Sequence, residues 1–124
     1  ALGGYFPGHA SLGLRERELV ILRVGGAIAS AYVLAQHRVI AGEVLTAEET
    51  AAAADPALAH AWSEDDAALL AFAGELADTR TVSDATWAAV DLDDDARLEL
   101  VVLVGFYALF GGMTNALAVE VDAP

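Results

Sequence analysis

The stretch between Glu18 and His37, "LVILRVGGAIASAYVLAQ", constrains this chain more than any other. Leu19, Leu22 and Gly26 mark one face at helical spacing. Gly25 and Gly26 weaken that helix, each by about 1 kcal/mol relative to alanine. Ser30 then offers a fresh N-cap. A single straight helix over residues 14 to 42 would leave Glu18 and His37 19 positions apart. At ~1.5 Å of rise per residue that is about 28 Å, too far to cooperate. A break near the double glycine removes the problem. The sequence therefore predicts a hairpin of two helices, Glu18 on the first and His37 on the second, which runs from Ala31 to about Gly42.

The remaining segments also read as helices. Residues 1 to 13, rich in glycine and holding Pro7, read as an irregular lead-in. The first helix begins at Leu14, with Arg15, Glu16, Arg17 and Glu18 in its first turn. Thr46 and Glu49 form a capping box for a third helix, which ends before Pro56. Ser63 opens a fourth, with acids at its positive end and Ala67, Leu70, Ala71, Gly74 and Ala77 on its inner face. Ser83 or Asp84 caps a short fifth helix containing Trp87. Asp93 or Asp94 starts a sixth. Alanine, the best helix former and a poor strand residue, is abundant. No strand alternation, Gly-rich phosphate loop, repeat or linker competes. The expectation is one all-α domain over residues 1–124, about six helices around a central antiparallel hairpin.

Charge narrows the partners. Six arginines and no lysine face nineteen acids, a net charge of −13. A nucleic-acid binder needs a basic surface to neutralise phosphates, and an anionic membrane would repel this one. Cysteine is absent, so the chain has no disulfide, thiolate nucleophile or thiolate metal ligand. The expected setting is cytoplasmic, with no secretory signal before the fold and with a native N-terminus that is trimmed or incomplete. The apolar run "LVVLVGFYALFGGMTNALAV" has the length of a membrane span. Its three glycines, Asn115 and flanking acids favour a core or oligomer-interface helix instead.

Four polar residues lie in or beside apolar runs: Glu18, Arg23, His37 and Glu99. A buried charge left alone costs several kcal/mol, so each needs a partner. One account is structural: Glu18, Arg23 and Glu99 form ion pairs between helices, and His37 is a hydrogen-bonded core residue. The other is catalytic, with Glu18 and His37 sharing a site.

The segments "LRERELVILRVGGAIASAYVLAQHRVIAGEVLTAEE" and "ELVVLVGFYALFGGMTNALAV" resemble the carboxymuconolactone decarboxylase superfamily, which includes the AhpD-like alkylhydroperoxidases. The match covers roughly residues 12 to 119. The resemblance implies an all-helical fold, assembly as a homotrimer or homohexamer, and Glu18 and His37 in the family's Glu and His positions. The peroxidase branch's two cysteines fall on Ser30 and Val33, so the resemblance implies a divergent member in which thiol peroxidase activity is not expected. The decarboxylase-like branch often reads "YEWAQH" where this chain reads "YVLAQH". Val33 replaces its glutamate and points to a more apolar pocket.

The reading that follows is a cofactor-independent enzyme of lyase or isomerase type. His37 would serve as general acid or base and Glu18 would orient it. Ser30, Tyr32, Val33, Gln36 and Tyr107 are the expected substrate-binding residues, the polar ones as donors to a developing oxyanion. The substrate would be a small apolar carbonyl or lactone compound that is decarboxylated, isomerised or cyclised. The alternative is a non-catalytic small-molecule binding or scaffold protein with the same fold. No cofactor and no metal is expected: Glu18 and His37 supply two ligands, and His9 or His60 would have to complete a set that normally needs three. Gly105, Gly111 and Gly112 would permit close helix approach in a homo-oligomer.

Overall fold

The structure, a computed structural model, describes residues 12–121. His9 and all but the end of the expected lead-in lie outside the described residues. Among the described residues the elements are α1 (Leu14–Ala27), α2 (Ala31–Ala41), α3 (Ala47–Ala54), α4 (Glu64–Thr79), α5 (Asp84–Ala89) and α6 (Asp94–Ala116), with no strand.

Helix α1 is the axis of the molecule. It packs against α2, α3, α4 and α6. Leu19 and Leu22 face a cluster with Ala41, Leu45, Ala53 and Leu70. Val20, Ile21 and Val24 face a second with Val33, Phe72, Leu100 and Leu103. A helix covered on several sides needs apolar residues all round, which is why "LVILRV" has so little polar face.

The hairpin forms, but its turn is not at the double glycine. Helix α1 runs through Gly25 and Gly26 and ends at Ala27. The chain reverses at Ile28 and Ala29, and Ala29 takes the left-handed conformation at φ 52°. Ser30 then caps α2 by accepting from the Val33 amide at 3.2 Å. The glycines serve packing instead. A Cβ on Gly26 would overlap the Ala54 carbonyl oxygen and stand 2.9 Å from its carbon. One on Gly25 would stand 3.1 Å from side-chain carbons of Val33 and Leu34. Gly26 lets α1 approach the end of α3, a contact no local pattern encodes.

The other caps fall where the sequence puts them. Thr46 and Glu49 exchange both capping-box bonds. Ser63, Ser83 and Asp93 each accept from the amide three residues on. The inner face of α4 differs from expectation. Leu70 and Ala77 are buried, but so are Asp66, Leu69, Phe72 and Ala73, while Ala67 and Ala71 are exposed. The large side chains decide the orientation, because each removes far more apolar surface from water than an alanine.

The expected pairing of Arg23 with a glutamate is replaced by a helix cap. Its guanidinium donates to the carbonyls of Ala53 at 2.7 Å and Ala52 at 3.2 Å, in the last turn of α3. A cation there satisfies end carbonyls and opposes the helix dipole. Arg15 instead makes the bidentate ion pair, to Asp66 at 2.8 and 2.9 Å, with Glu49 at 3.1 Å.

Helix α6 is long and apolar enough to cross a membrane by length and composition. Ala96, Glu99, Leu100, Leu103, Val104, Gly111 and Thr114 form its buried side. Gly111 meets the hairpin turn, where a Cβ would overlap Ile28 and lie 3.2 Å from the Ser30 Cβ. Asn115 donates to the Ile28 carbonyl at 3.0 Å, tying the turn to α6. Gly105 and Gly112 face open space, beside exposed Phe106, Leu109 and Met113.

Candidate acid–base site

The reversal at Ala29 lays α2 against α1 and brings Glu18 and His37 into contact. His37 Nδ1 lies 2.7 Å from Glu18 Oε1. The side chains are 13% and 4% exposed, so the bond is largely shielded from water. An ionised carboxylate only accepts, so opposite an ionised Glu18 the proton lies on Nδ1. In the neutral ring the basic lone pair is then on Nε2. A carboxylate placed there can fix the tautomer and balance an imidazolium, which are the two things a general base asks of its partner.

Tyr107 of α6 adds the third group. Its ring stands edge-on to His37, centroids 5.0 Å apart at 85°. Burial raises its phenol above the ordinary value, and the charge of Glu18 raises it further, against the opposing effect of Arg17. The hydroxyl therefore stays protonated at neutral pH and can donate.

Tyr107 also lines a groove of about 390 Å³ with Arg17, Val102, Leu103 and Phe106. That volume lies near the lower end of ligand pockets. Tyr107 is the member of the trio that forms the groove wall, and His37 packs against it. An aromatic cluster continues along α6: Phe106 stacks on Phe110 at 6.1 Å, and Tyr32 meets Phe110 edge-on at 6.0 Å.

The site residues expected from sequence thus divide. Glu18, His37 and Tyr107 converge. Tyr32 contributes to the neighbouring aromatic cluster. Ser30 is fully buried and already engaged, capping α2 and meeting the Thr114 hydroxyl at 3.3 Å. Val33 is a core residue and Gln36 is exposed. His60 pairs with Trp62 elsewhere, ring centroids 4.2 Å apart. No three or more His, Cys, Asp or Glu residues group to hold a metal among the described residues.

Sequence reasoning missed Arg17 and Phe106. Arg17 reaches Glu99 across the fold at 3.5 Å, and Glu99 also accepts from the Leu12 amide at 3.4 Å. The available signal was the isolated acid Glu99 before a long apolar run, which demanded a cation.

No family model and no curated protein matches the chain by sequence. The fold does match a solved structure. A crystal structure from Agrobacterium tumefaciens, described as a protein of unknown function and provisionally as the antioxidant defence protein AhpD, superposes with a TM-score of 0.87. The identity is 14%, and the match covers 99% of this chain and 87% of that one. The chain has the AhpD-like all-helical fold.

Proposed function

We propose that this chain uses the AhpD-like fold for cofactor-independent acid–base chemistry on a small apolar carbonyl or lactone compound. The observation that carries the reading is the shielded 2.7 Å bond between His37 and Glu18 beside a ligand-sized groove. Thiol peroxidation needs cysteines that the chain does not have.

In this reading His37 Nε2 takes a proton from the carbon next to the substrate carbonyl. Glu18 balances the imidazolium that forms. The Tyr107 hydroxyl donates to the enolate oxygen, and the proton returns to carbon at the same or a neighbouring position, which gives exchange or isomerisation. For a β-keto or vinylogous acid, loss of carbon dioxide generates the same enolate, and protonated His37 supplies the proton.

Proton exchange is the economical test because it needs no knowledge of the natural product. Alkyl-substituted butenolides and cyclic β-keto esters are incubated with the protein in heavy water, and deuterium uptake at the acidic carbon is followed by NMR. Uptake above background by the wild type, reduced about a hundredfold or more in His37→Ala, is the expected result. Ligand binding with no exchange would instead establish a binding protein.

We also propose self-assembly through the exposed face of α6, as a homotrimer or homohexamer. Phe106 is 56% exposed and Leu109 65%, and a second copy would cover both while roofing the groove. Sedimentation as a monomer at micromolar concentration would contradict this.

A further inference from the structure

A second cleft lies apart from the Tyr107 groove, and among the described residues the two share no lining. It consists of adjoining hollows of about 300 and 350 Å³, joined through Arg23, Pro56, Leu70 and Ala71. Each is large enough for a small organic molecule. One hollow holds His60, Trp62 and Ala67, and the other holds Gly74, Glu75 and Asp78. The order along α4 is therefore an aromatic pair, then the Arg23 guanidinium, then acids. We propose that this cleft binds an aromatic α-amino acid, with its ring against Trp62 and His60, its carboxylate on Arg23 and its ammonium towards Asp78.

Arg23 is fixed but not saturated. Its Nε and Nη2 donate to the carbonyls of Ala53 and Ala52, and Nη1 has no hydrogen-bond partner among the described residues. The two bonds to the end of α3 hold the guanidinium in place, so a carboxylate meets a cation that is already ordered. Asp55 acts on that cation electrostatically and stands outside the lining. Gly74 leaves the Arg23 stem uncovered, since a Cβ there would touch its Cδ at 3.7 Å. Asp78 lies one helical turn beyond Gly74, about 6 Å along α4. It is exposed and makes no hydrogen bond among the described residues, whereas Glu75 already accepts from the Ser83 amide and the Thr86 hydroxyl. A net charge of −13 repels a simple anion, and a simple amine would place a second cation beside Arg23. A zwitterion avoids both penalties. At the other end the His60 and Trp62 rings stand 4.2 Å apart and tilted by 50°, an apolar surface suited to a phenyl or indole ring.

The probes are L-phenylalanine, 3-phenylpropionate, which lacks the ammonium, and phenethylamine, which lacks the carboxylate. Each is titrated into the full chain while NMR follows the indole N–H signals of its two tryptophans, Trp62 and Trp87. L-Phenylalanine is expected to shift Trp62 saturably and to leave Trp87, which packs on Phe72, unmoved. The amine should bind about tenfold more weakly, the size of one charge-assisted hydrogen bond at a partly shielded site. The acid should bind roughly threefold to fivefold more weakly, because Asp78 is exposed. Asp78→Asn should remove the preference for phenylalanine over the acid. Arg23→Gln should remove the preference over the amine. Arg23 also holds the end of α3, so Ala71→Leu is the second variant: it fills the cleft from an exposed position and should block all three probes. A Trp62 signal unmoved by millimolar L-phenylalanine overturns the proposal. So does an amine that binds as well as the amino acid, a preference over the acid that survives in Asp78→Asn, or an Ala71→Leu variant that binds like the wild type. His37→Ala should bind L-phenylalanine normally, so this site and the proton-exchange chemistry stand or fall separately.

Discussion

Replacing Gly26 by alanine tests the claim that the double glycine exists for packing. In an ordinary helix interior the change would stabilise by up to about 1 kcal/mol. Here the new methyl overlaps the Ala54 carbonyl oxygen and stands 2.9 Å from its carbon, while ordinary contact begins at 3.4 Å. The neighbour is backbone and its overlapped oxygen has to clear by more than about an ångström, so α3 must shift as a body, at the ~1–3 kcal/mol or more that overpacking costs. That shift also loosens the bonds from Arg23 to Ala53 and Ala52, at 2.7 and 3.2 Å. Charge-assisted bonds of this kind are worth about 1.5–3 kcal/mol each, of which part is lost. The net expectation is a destabilisation of about 3 kcal/mol and a fall in Tm of roughly 10 °C. Gly25→Ala is the control. Its methyl would meet only side-chain carbons of Val33 and Leu34 at 3.1 Å, and these can yield. Clash and propensity then nearly cancel, within about 0.5 kcal/mol of wild type. Urea unfolding followed by circular dichroism at fixed protein concentration reads both variants. Equal losses in the two, or a Gly26→Ala variant as stable as wild type, would refute the packing argument.

Ala29→Gly should stabilise by about 0.5–1 kcal/mol, because alanine at φ 52° carries a left-handed strain that glycine escapes; thermal unfolding checks it, and a lower Tm would contradict it. Asp66 is held below the ordinary carboxylate value, first by its hydrogen bonds from Arg15. The unfolded chain therefore takes up that proton at a higher pH than the folded one. The contribution is complete above about pH 4 and is lost as pH falls through the lower folded value. Asp66→Asn should lower stability at neutral pH and flatten its acid dependence, read from urea midpoints between pH 2 and 6. Tyr107 is raised above its ordinary value near 10, so its ionisation should cause no loss of proton-exchange activity below that pH. An alkaline decline below pH 10 that disappears in Tyr107→Phe would contradict this.

The helices were legible because their start signals are local. Ser30, Thr46, Ser63, Ser83 and Asp93 act on amides within their own next turn, so a short window suffices. The position of the turn was not legible. Gly25 and Gly26 look like a break, but the reason for Gly26 is Ala54, far along the chain. The inner face of α4 was obscured by alanines on every side, and only tertiary contact tells which of them matter. The Glu18–His37 pair was readable as a question, since two polar groups in apolar runs require partners. Arg17 was hidden among the alternating charges of "RERE", because its partner Glu99 comes from α6 and its groove is walled by the same helix.

The central claim is that Glu18 and His37 act as one unit. A double-mutant cycle on the heavy-water exchange rate measures that directly, with Glu18→Gln, His37→Ala and both together. Residues that act as a unit are strongly non-additive. The account predicts that the double variant is no slower than His37→Ala alone. Losses that multiply, or a His37→Ala protein that exchanges as fast as wild type, would contradict it.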